Sequence, residues 1–283
     1  MPETPAPISL SDLRHEIDTI DEQVHTLLMR RGDIIDRLIR VKQTQEVGSA
    51  FRPAREADMM RRLAARHHGI LPLDTVESIW RVIISTFTYV QAPFSVHADL
   101  SSGDSAMRDS ARFHFGFTVP FLAHFNAGAA VEAVAQSRGD LALVSAVSSQ
   151  TSWWGALEQP GAPKIIARLP FIERADHPAA MPVFVISRVA DDALVTEIET
   201  WSLHVNGWSP AAARALSPIS DVLAVADNAS GTAALLVSVA HTDGVEKIIS
   251  ALSDAGAAVR ASTLVGGHAT RYRVPSPGTI AAP

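Results

Sequence analysis

The sequence contains no cysteine among its 283 residues. Disulfide bonds, thiolate metal ligands and cysteine nucleophiles are therefore excluded by composition alone. Aromatic residues are also few, at 6%, whereas 47% of the chain is hydrophobic and 19% is charged. This balance is typical of packed globular domains, and the length suffices for about two of them.

The chain has fewer positive than negative residues, with 24 Lys and Arg against 30 Asp and Glu, so the formal net charge is −6. Binding to nucleic acid phosphates requires concentrated Lys and Arg, so a general nucleic-acid partner is not expected. Long hydrophobic runs are missing as well: no window approaches the roughly 18 apolar residues of a membrane span. The first residues, Met1–Pro5, lack the basic start and apolar core of a signal peptide. We therefore expect no membrane partner and a cytoplasmic location.

From Ser9 to about Gln45 apolar residues recur at three- and four-residue spacing, which predicts one long amphipathic helix. Ser9 or Ser11 is expected to cap its N-terminus, with Asp12 in the first turn, and the helix is expected to stop near Gly48-Ser49. Such a helix is about 50 Å long at about 1.5 Å per residue. It must cross another subunit or lie along a second long helix, so we expect a dimer. The apolar positions are Leu10, Leu13, Ile17, Ile20, Val24, Leu27, Leu28, Ile34, Ile35, Leu38 and Val41.

Two further helices are predicted, from Pro53 to about His68 and from Asp74 to about Gln91. Pro53 favours a first helical turn, and Asp74 is expected to be an N-cap residue. Pro93 then closes the helical block, which makes residues 92–102 a predicted linker.

Beyond the linker, helical stretches alternate with apolar runs, which predicts an α/β region over residues 100–190. From about residue 197 the predicted elements follow the order βαββαβ, which is compatible with a ferredoxin-like sandwich over residues 195–275. Residues 276–283 are expected to form a loose tail. The Trp153-Trp154 pair is expected to fill a core or an interface rather than to bind a ligand.

Three cations lie beside the apolar stripe of the long helix: Arg14, Arg31 and Lys42. Arg31 and Lys42 are 11 residues apart, about three turns, so they point the same way about 16 Å apart along the axis. Arg14 and Arg31 are 17 residues apart, about 25 Å, which is too far for both to bind one small dianion. A second subunit running antiparallel could supply Arg14. Long helices also carry solvated cations, so these residues alone do not establish an active site.

The segments LRHEIDTID from Leu13 and RPARE from Arg52, together with Lys42 and Gln91, resemble the all-helical chorismate mutase family over residues 8–93. The resemblance implies a three-helix domain over residues 1–93 that interlocks as a homodimer. It also implies conversion of chorismate to prephenate. That reaction is a [3,3]-sigmatropic rearrangement without a nucleophile or an obligatory proton transfer, so no cofactor and no metal is expected.

The resemblance also implies a role for each matching residue. Arg31 and Arg14 of the partner subunit would hold the substrate carboxylates, with support from Arg55. Lys42 and Gln91 would donate hydrogen bonds to the ether oxygen, where negative charge grows as the C–O bond breaks.

Glu56 would accept a hydrogen bond from the ring hydroxyl, and two neighbours depart from the family pattern. Arg52 stands where some members have an acid near that hydroxyl. Phe87 stands where a small Ser-type carboxylate contact is expected, and its bulk could alter efficiency or substrate choice. A lyase that acts on isochorismate with the same fold is therefore an alternative.

The order of domains resembles the bifunctional chorismate mutase/prephenate dehydratase family, whose last domain is a regulatory ACT domain. Two dehydratase motifs are absent. Ser145–Gln150 replaces a Pro-Ile-Glu-Asn-Ser-type loop, and Met181–Val183 replaces Thr-Arg-Phe. Dehydratase activity is therefore not expected, and the region would serve structure or ligand sensing. A second alternative for the whole chain is a weakly active protein that binds and regulates an aromatic-pathway enzyme.

Overall fold

The computed structural model describes residues 9–42, 50–146, 151–174, 176–179, 181–188, 197–227 and 231–274. The chain divides into two compact units, one that contains the first helix and one that contains every described residue from 50 onward. The predicted stop near Gly48-Ser49 and the predicted tail at 276–283 lie outside the described residues. Among the described helices, none combines the length and apolarity that crossing a bilayer requires.

The described part of the first unit forms one helix, α1 (Leu10–Lys42), as the apolar spacing predicts. Ser9 caps it: the Ser9 hydroxyl accepts a hydrogen bond from the Asp12 amide at 3.1 Å, and the Asp12 carboxylate accepts one from the Ser9 amide at 3.1 Å. This reciprocal pair satisfies two helix-terminal donors. The hydrogen bonds from Ser9 lower the pKa of the Asp12 carboxyl.

The second unit opens with two helices, α2 (Pro53–Arg66) and α3 (Leu73–Gln91). Pro53 occupies the first turn of α2, as predicted, whereas α2 ends before His67, whose backbone is extended. The N-cap of α3 is Pro72 rather than Asp74, which lies in the first turn.

An α/β region follows the helices. Its elements are β1 (Val96–Asp99), α4 (Asp104–Phe115), β2 (Phe121–His124), α5 (Ala127–Ala135), β3 (Leu141–Ser145), a 3₁₀ helix (Trp153–Leu157), β4 (Lys164–Leu169), β5 (Ile172–Glu173) and β6 (Val183–Ser187). The linker predicted over residues 92–102 is wrong, because all four residues of β1 are buried and pair in parallel with β2 and β3. Trp153 and Trp154 are buried in the core, as predicted.

The last part of the chain has the predicted βαββαβ order. It consists of β7 (Ile198–Asn206), α6 (Pro210–Leu216), β8 (Asp221–Asp227), β9 (Thr232–Ala240), α7 (Gly244–Asp254) and β10 (Ala258–His268), followed by β11 (Tyr272–Arg273). The four long strands pair in the order β10-β7-β9-β8. This is the strand order of a ferredoxin-like sheet, in which the first and third strands are central.

The sheet continues across the boundary predicted between residues 190 and 195. Nine of the described strands form one sheet in the order β2-β1-β3-β6-β4-β10-β7-β9-β8, and β4 and β10 join its halves at Ile165 and Gly266. A Cβ atom at Gly266 would lie 2.1 Å from the carbonyl oxygen of Ile165, and the φ of Gly266 is +149°. Only glycine permits so close an approach of two backbones.

The second unit has hydrophobic cores that also cross the predicted boundaries. Met60 of α2 and Ile84 of α3 share one core with Phe94 and Phe115. These contacts explain why α2 and α3 group with the sheet, although residues 1–93 were predicted as one domain.

Candidate functional site

The three cations of α1 lie far apart along one helix. Arg14 is exposed, Arg31 is half-buried, and Lys42 is the last helical residue. Their separations in a continuous helix are those predicted, about 25 Å from Arg14 to Arg31 and about 16 Å from Arg31 to Lys42. One copy of α1 therefore cannot bring Arg14 and Arg31 to the same small anion.

Two further cations mark the start of α2. Arg52 is the N-cap residue, and its Nη1 donates to the carbonyl oxygen of Phe51 at 3.5 Å. Arg55 follows within the first turn, and both arginine side chains are exposed. An arginine pair at a helix N-terminus adds its charge to the positive end of the helix dipole, which favours an anion there.

Glu56 is buried and forms an ion pair that the sequence analysis missed. Its Oε2 accepts a hydrogen bond from Nη1 of Arg81 at 2.5 Å, and the Arg81 side chain is 0% exposed. The guanidinium of Arg81 also lies 5.2 Å from the ring centre of Phe171. The hydroxyl-binding role of Glu56 remains a prediction, and one carboxylate oxygen of Glu56 already accepts a hydrogen bond from Arg81.

We expect Arg81→Met to lower the free energy of unfolding by about 3–5 kcal/mol, because it leaves the Glu56 carboxylate buried without its partner. Urea denaturation followed by circular dichroism measures the change. Arg62→Met is the matched control, since Arg62 pairs with Asp58 at 3.0 Å on the surface. Such an exposed pair contributes less than about 1 kcal/mol. Equal losses in the two variants would contradict the structural importance of the Arg81 pair.

More buried polar groups lie beside α3. His177 accepts from the Ala179 amide through Nδ1 at 3.1 Å, so its ring proton lies on Nε2, which donates to Glu77 at 3.0 Å. Burial, and then the charge of Arg81, hold the pKa of His114 well below its usual range. The available sequence signal was a polar stripe at helical spacing on α3: Glu77, Arg81, Ser85 and Thr88.

Phe87 and Gln91 lie one turn apart on α3, so they share a helix face. Both are half-buried, and Nε2 of Gln91 donates to the carbonyl oxygen of Phe87 at 3.0 Å. An amide has two N–H donors, so this bond leaves the second one for a ligand. The phenyl ring of Phe87 provides no hydrogen-bond donor beside it.

A second polar cluster, also missed by the sequence analysis, joins the first three strands of the sheet. Nδ1 of His97 lies 2.9 Å from Nε2 of His124, and Nε2 of His97 lies 3.4 Å from the Asp140 carboxylate. The other Asp140 oxygen accepts from the Ser95 amide at 2.6 Å. Burial and then the repulsion of His97 lower the pKa of His124. Asp140 therefore orients His97 and anchors the start of β1.

The structure brings some predicted site residues together and leaves others apart. Arg52, Arg55 and Glu56 are close neighbours at the start of α2, and Phe87 and Gln91 are neighbours near the end of α3. The α1 cations belong to the first unit of the chain and the other residues to the second.

Comparisons with known proteins give one family and several weaker similarities. Residues 13–92 match the family described as Chorismate mutase type II. A bifunctional chorismate mutase/prephenate dehydratase of Neisseria gonorrhoeae is 30% identical over 110 residues. That alignment covers 39% of this chain and 29% of the relative, so the chain spans less than one third of the relative's length.

Two solved structures align with low similarity. One is described as GqqA, a novel type of quorum quenching acylase: it is 12% identical, covers 62% of this chain and 94% of its own, and has a TM-score of 0.40. The other is prephenate dehydratase from Streptococcus mutans: it is 15% identical, covers 64% of this chain and 100% of its own, and has a TM-score of 0.34. The family match lies in the helical segment, where the quoted motifs and the helices α1 to α3 coincide. The N-terminal helical segment of this chain is therefore a chorismate mutase type II domain.

Proposed function

We propose that this protein converts chorismate to prephenate, in a site built from two copies of the chain. The observation that carries the proposal is the match of residues 13–92 to the Chorismate mutase type II family. Within this segment Arg14, Arg31 and Lys42 stand on one long helix beside its apolar stripe. Aromatic amino acid biosynthesis is the pathway that uses this reaction.

The chemistry requires positioning and charge stabilisation rather than a nucleophile. In the rearrangement a C–O bond breaks while a C–C bond forms, and all atoms stay within one molecule. The protein must fold the substrate into a reactive chair and stabilise the negative charge that develops on the ether oxygen. Fixed cations and hydrogen-bond donors can do both.

Each cation has a place in this proposal. Arg31 and Arg14 of the partner subunit hold the two carboxylates of chorismate, because a guanidinium binds a carboxylate through two parallel hydrogen bonds. Arg55 adds positive charge at that end. Lys42 and the free N–H of Gln91 donate to the ether oxygen, and these contacts strengthen in the transition state.

Two features of α1 support a homodimer. Its apolar stripe is uncovered: Leu13, Ile17, Ile20 and Val24 are between 44% and 57% exposed. A solvent-exposed stripe of this length favours packing against another helix. The separation of about 25 Å between Arg14 and Arg31 also requires a second subunit if both bind one substrate.

The experiment is an assay of the purified protein on chorismate in which prephenate and phenylpyruvate are quantified separately by chromatography. We expect prephenate to accumulate and no phenylpyruvate to form, since the dehydratase motifs are replaced at Ser145–Gln150 and Met181–Val183. Unchanged chorismate would overturn the proposed function. Phenylpyruvate as the end product would overturn the assignment of an inactive dehydratase-like region.

A further inference from the structure

A cavity of about 390 Å³ lies in the sheet region, remote in sequence from the mutase motifs. Its wall includes Arg168 of β4 and His268 at the end of β10. It also includes Arg271, which precedes β11, and Arg273, the last residue of β11. Cavities of this volume are typical of small-molecule sites.

Positive charge exceeds negative charge in this cavity. Three arginines and two carboxylates, Glu173 and Asp221, line the cavity, so the net charge of its lining is +1 when the histidine is neutral. Glu173 is shared, because it accepts from Nη2 of Arg271 at 2.6 Å and from Nε of Arg273 at 3.0 Å. An anion would therefore find excess positive charge here.

Arg168 has the weakest pairing of the three arginines. Its Nη1 lies 3.9 Å from Asp221, whose side chain is 72% exposed, whereas the Arg168 side chain is only 15% exposed. Its Nε is buried and has no hydrogen-bond partner among the described residues. Burial, and then the repulsion of Arg168, lowers the pKa of Arg271 to about 10. A bound carboxylate would stabilise both guanidinium groups: it would accept a hydrogen bond from Arg168, and its negative charge would offset the repulsion between Arg168 and Arg271.

His268 provides the second half of the recognition. It is 4% exposed, and its Nδ1 lies 2.9 Å from the carbonyl oxygen of Ala269. A carbonyl can only accept, so Nδ1 carries the proton and Nε2 of the neutral ring is an acceptor. Burial lowers the pKa of His268 to about 4, so the ring is neutral at pH 7. Nε2 has no hydrogen-bond partner among the described residues.

From these groups we infer that the cavity binds a small 2-hydroxycarboxylate. The carboxylate contacts Arg168 and Arg271, and the hydroxyl donates to Nε2 of His268. An ammonium group could also donate to Nε2, but the neighbouring arginines repel a positive charge. The hydroxy acid is therefore favoured over the corresponding amino acid. The cavity volume equals that of roughly a dozen water molecules, which leaves room for a side chain of about the size of a phenyl group.

The inference is tested by calorimetric titration of the full-length protein with four matched probes: 3-phenyllactate, 3-phenylpropionate, phenylalanine and 3-phenyl-1,2-propanediol. We expect 3-phenyllactate to bind about tenfold more tightly than 3-phenylpropionate, which lacks the hydroxyl. Phenylalanine and the diol should bind more weakly still. Equal affinities of the two carboxylates, tighter binding of phenylalanine, or no binding of 3-phenyllactate would each overturn the inference.

Variants locate the binding in this cavity. His268→Leu should abolish the preference for 3-phenyllactate and leave 3-phenylpropionate binding unchanged, whereas Arg168→Gln should weaken both at least tenfold. Arg62→Gln is the matched control and should leave both affinities unchanged, since Arg62 does not line the cavity and its side chain is 65% exposed, so that water screens its charge. Lys42→Ala should leave the titration unchanged. A preference that survives His268→Leu, or full binding by Arg168→Gln, would show that the probe binds elsewhere and would overturn the inference.

Discussion

Replacing Lys42 by alanine is expected to lower the turnover of chorismate by about 10²–10³-fold, the usual cost of removing one donor to a developing oxyanion. The Lys42 ammonium is proposed to contact the ether oxygen, where charge appears only as the C–O bond breaks. Its loss should therefore reduce kcat strongly and change KM little. Initial rates of prephenate formation over a range of chorismate concentrations measure both constants.

Arg40→Ala is the control for this prediction. Arg40 is a cation two residues earlier on α1, exposed and paired with Asp36 one turn before it. Its removal changes the net charge of the helix by the same amount, but it should leave kcat within about twofold, because exposed ion pairs contribute little. Equal rates for the Lys42→Ala variant and the unchanged protein would eliminate Lys42 from the mechanism.

The helices and the long strands could be predicted from the sequence because each has a pattern that extends over many residues. Apolar residues at three- and four-residue spacing indicate α1, and the order of the six elements from β7 to β10 indicates the βαββαβ region. Ser9 was recognisable as a cap because its side chain bonds within its own turn. Interactions between residues that are close in the sequence can therefore be predicted from the local sequence pattern.

Short strands and distant partners could not be predicted in this way. β1 has four residues and β11 has two, too few for a periodic pattern. The Arg81–Glu56 pair joins residues 25 apart, and the cavity joins β4 to β11 across about one hundred residues. Nothing in the local sequence marks His268 as an unpaired acceptor, because its burial depends on the complete sheet.

The candidate mutase site lies between these two cases. Its residue types and spacing were readable from the sequence, and the spacing means that one copy of α1 cannot bring Arg14 and Arg31 to the same substrate. The proposal therefore takes the two arginines from different copies of α1. That arrangement can be tested without a structure of the dimer. It depends only on which chain supplies each arginine.

Arg14→Ala and Arg31→Ala are each expected to lose about 10²-fold or more of the mutase activity, because each removes one partner of a desolvated carboxylate. Mixing the two inactive variants, with mild unfolding and refolding to exchange subunits, should restore activity. Random association makes half of the dimers mixed, and each mixed dimer has one site with both arginines. The expected recovery is about a quarter of the unchanged protein's rate.

The control for subunit exchange mixes Arg14→Ala with the double variant Arg14→Ala/Arg31→Ala, because no pairing of these chains yields a site with both arginines. This mixture should stay as inactive as its components. The proposed arrangement predicts recovery in the first mixture alone, since an intact site then takes Arg31 from one chain and Arg14 from the other. If both arginines acted within one chain, no mixed dimer would contain an intact site, and the first mixture would remain inactive.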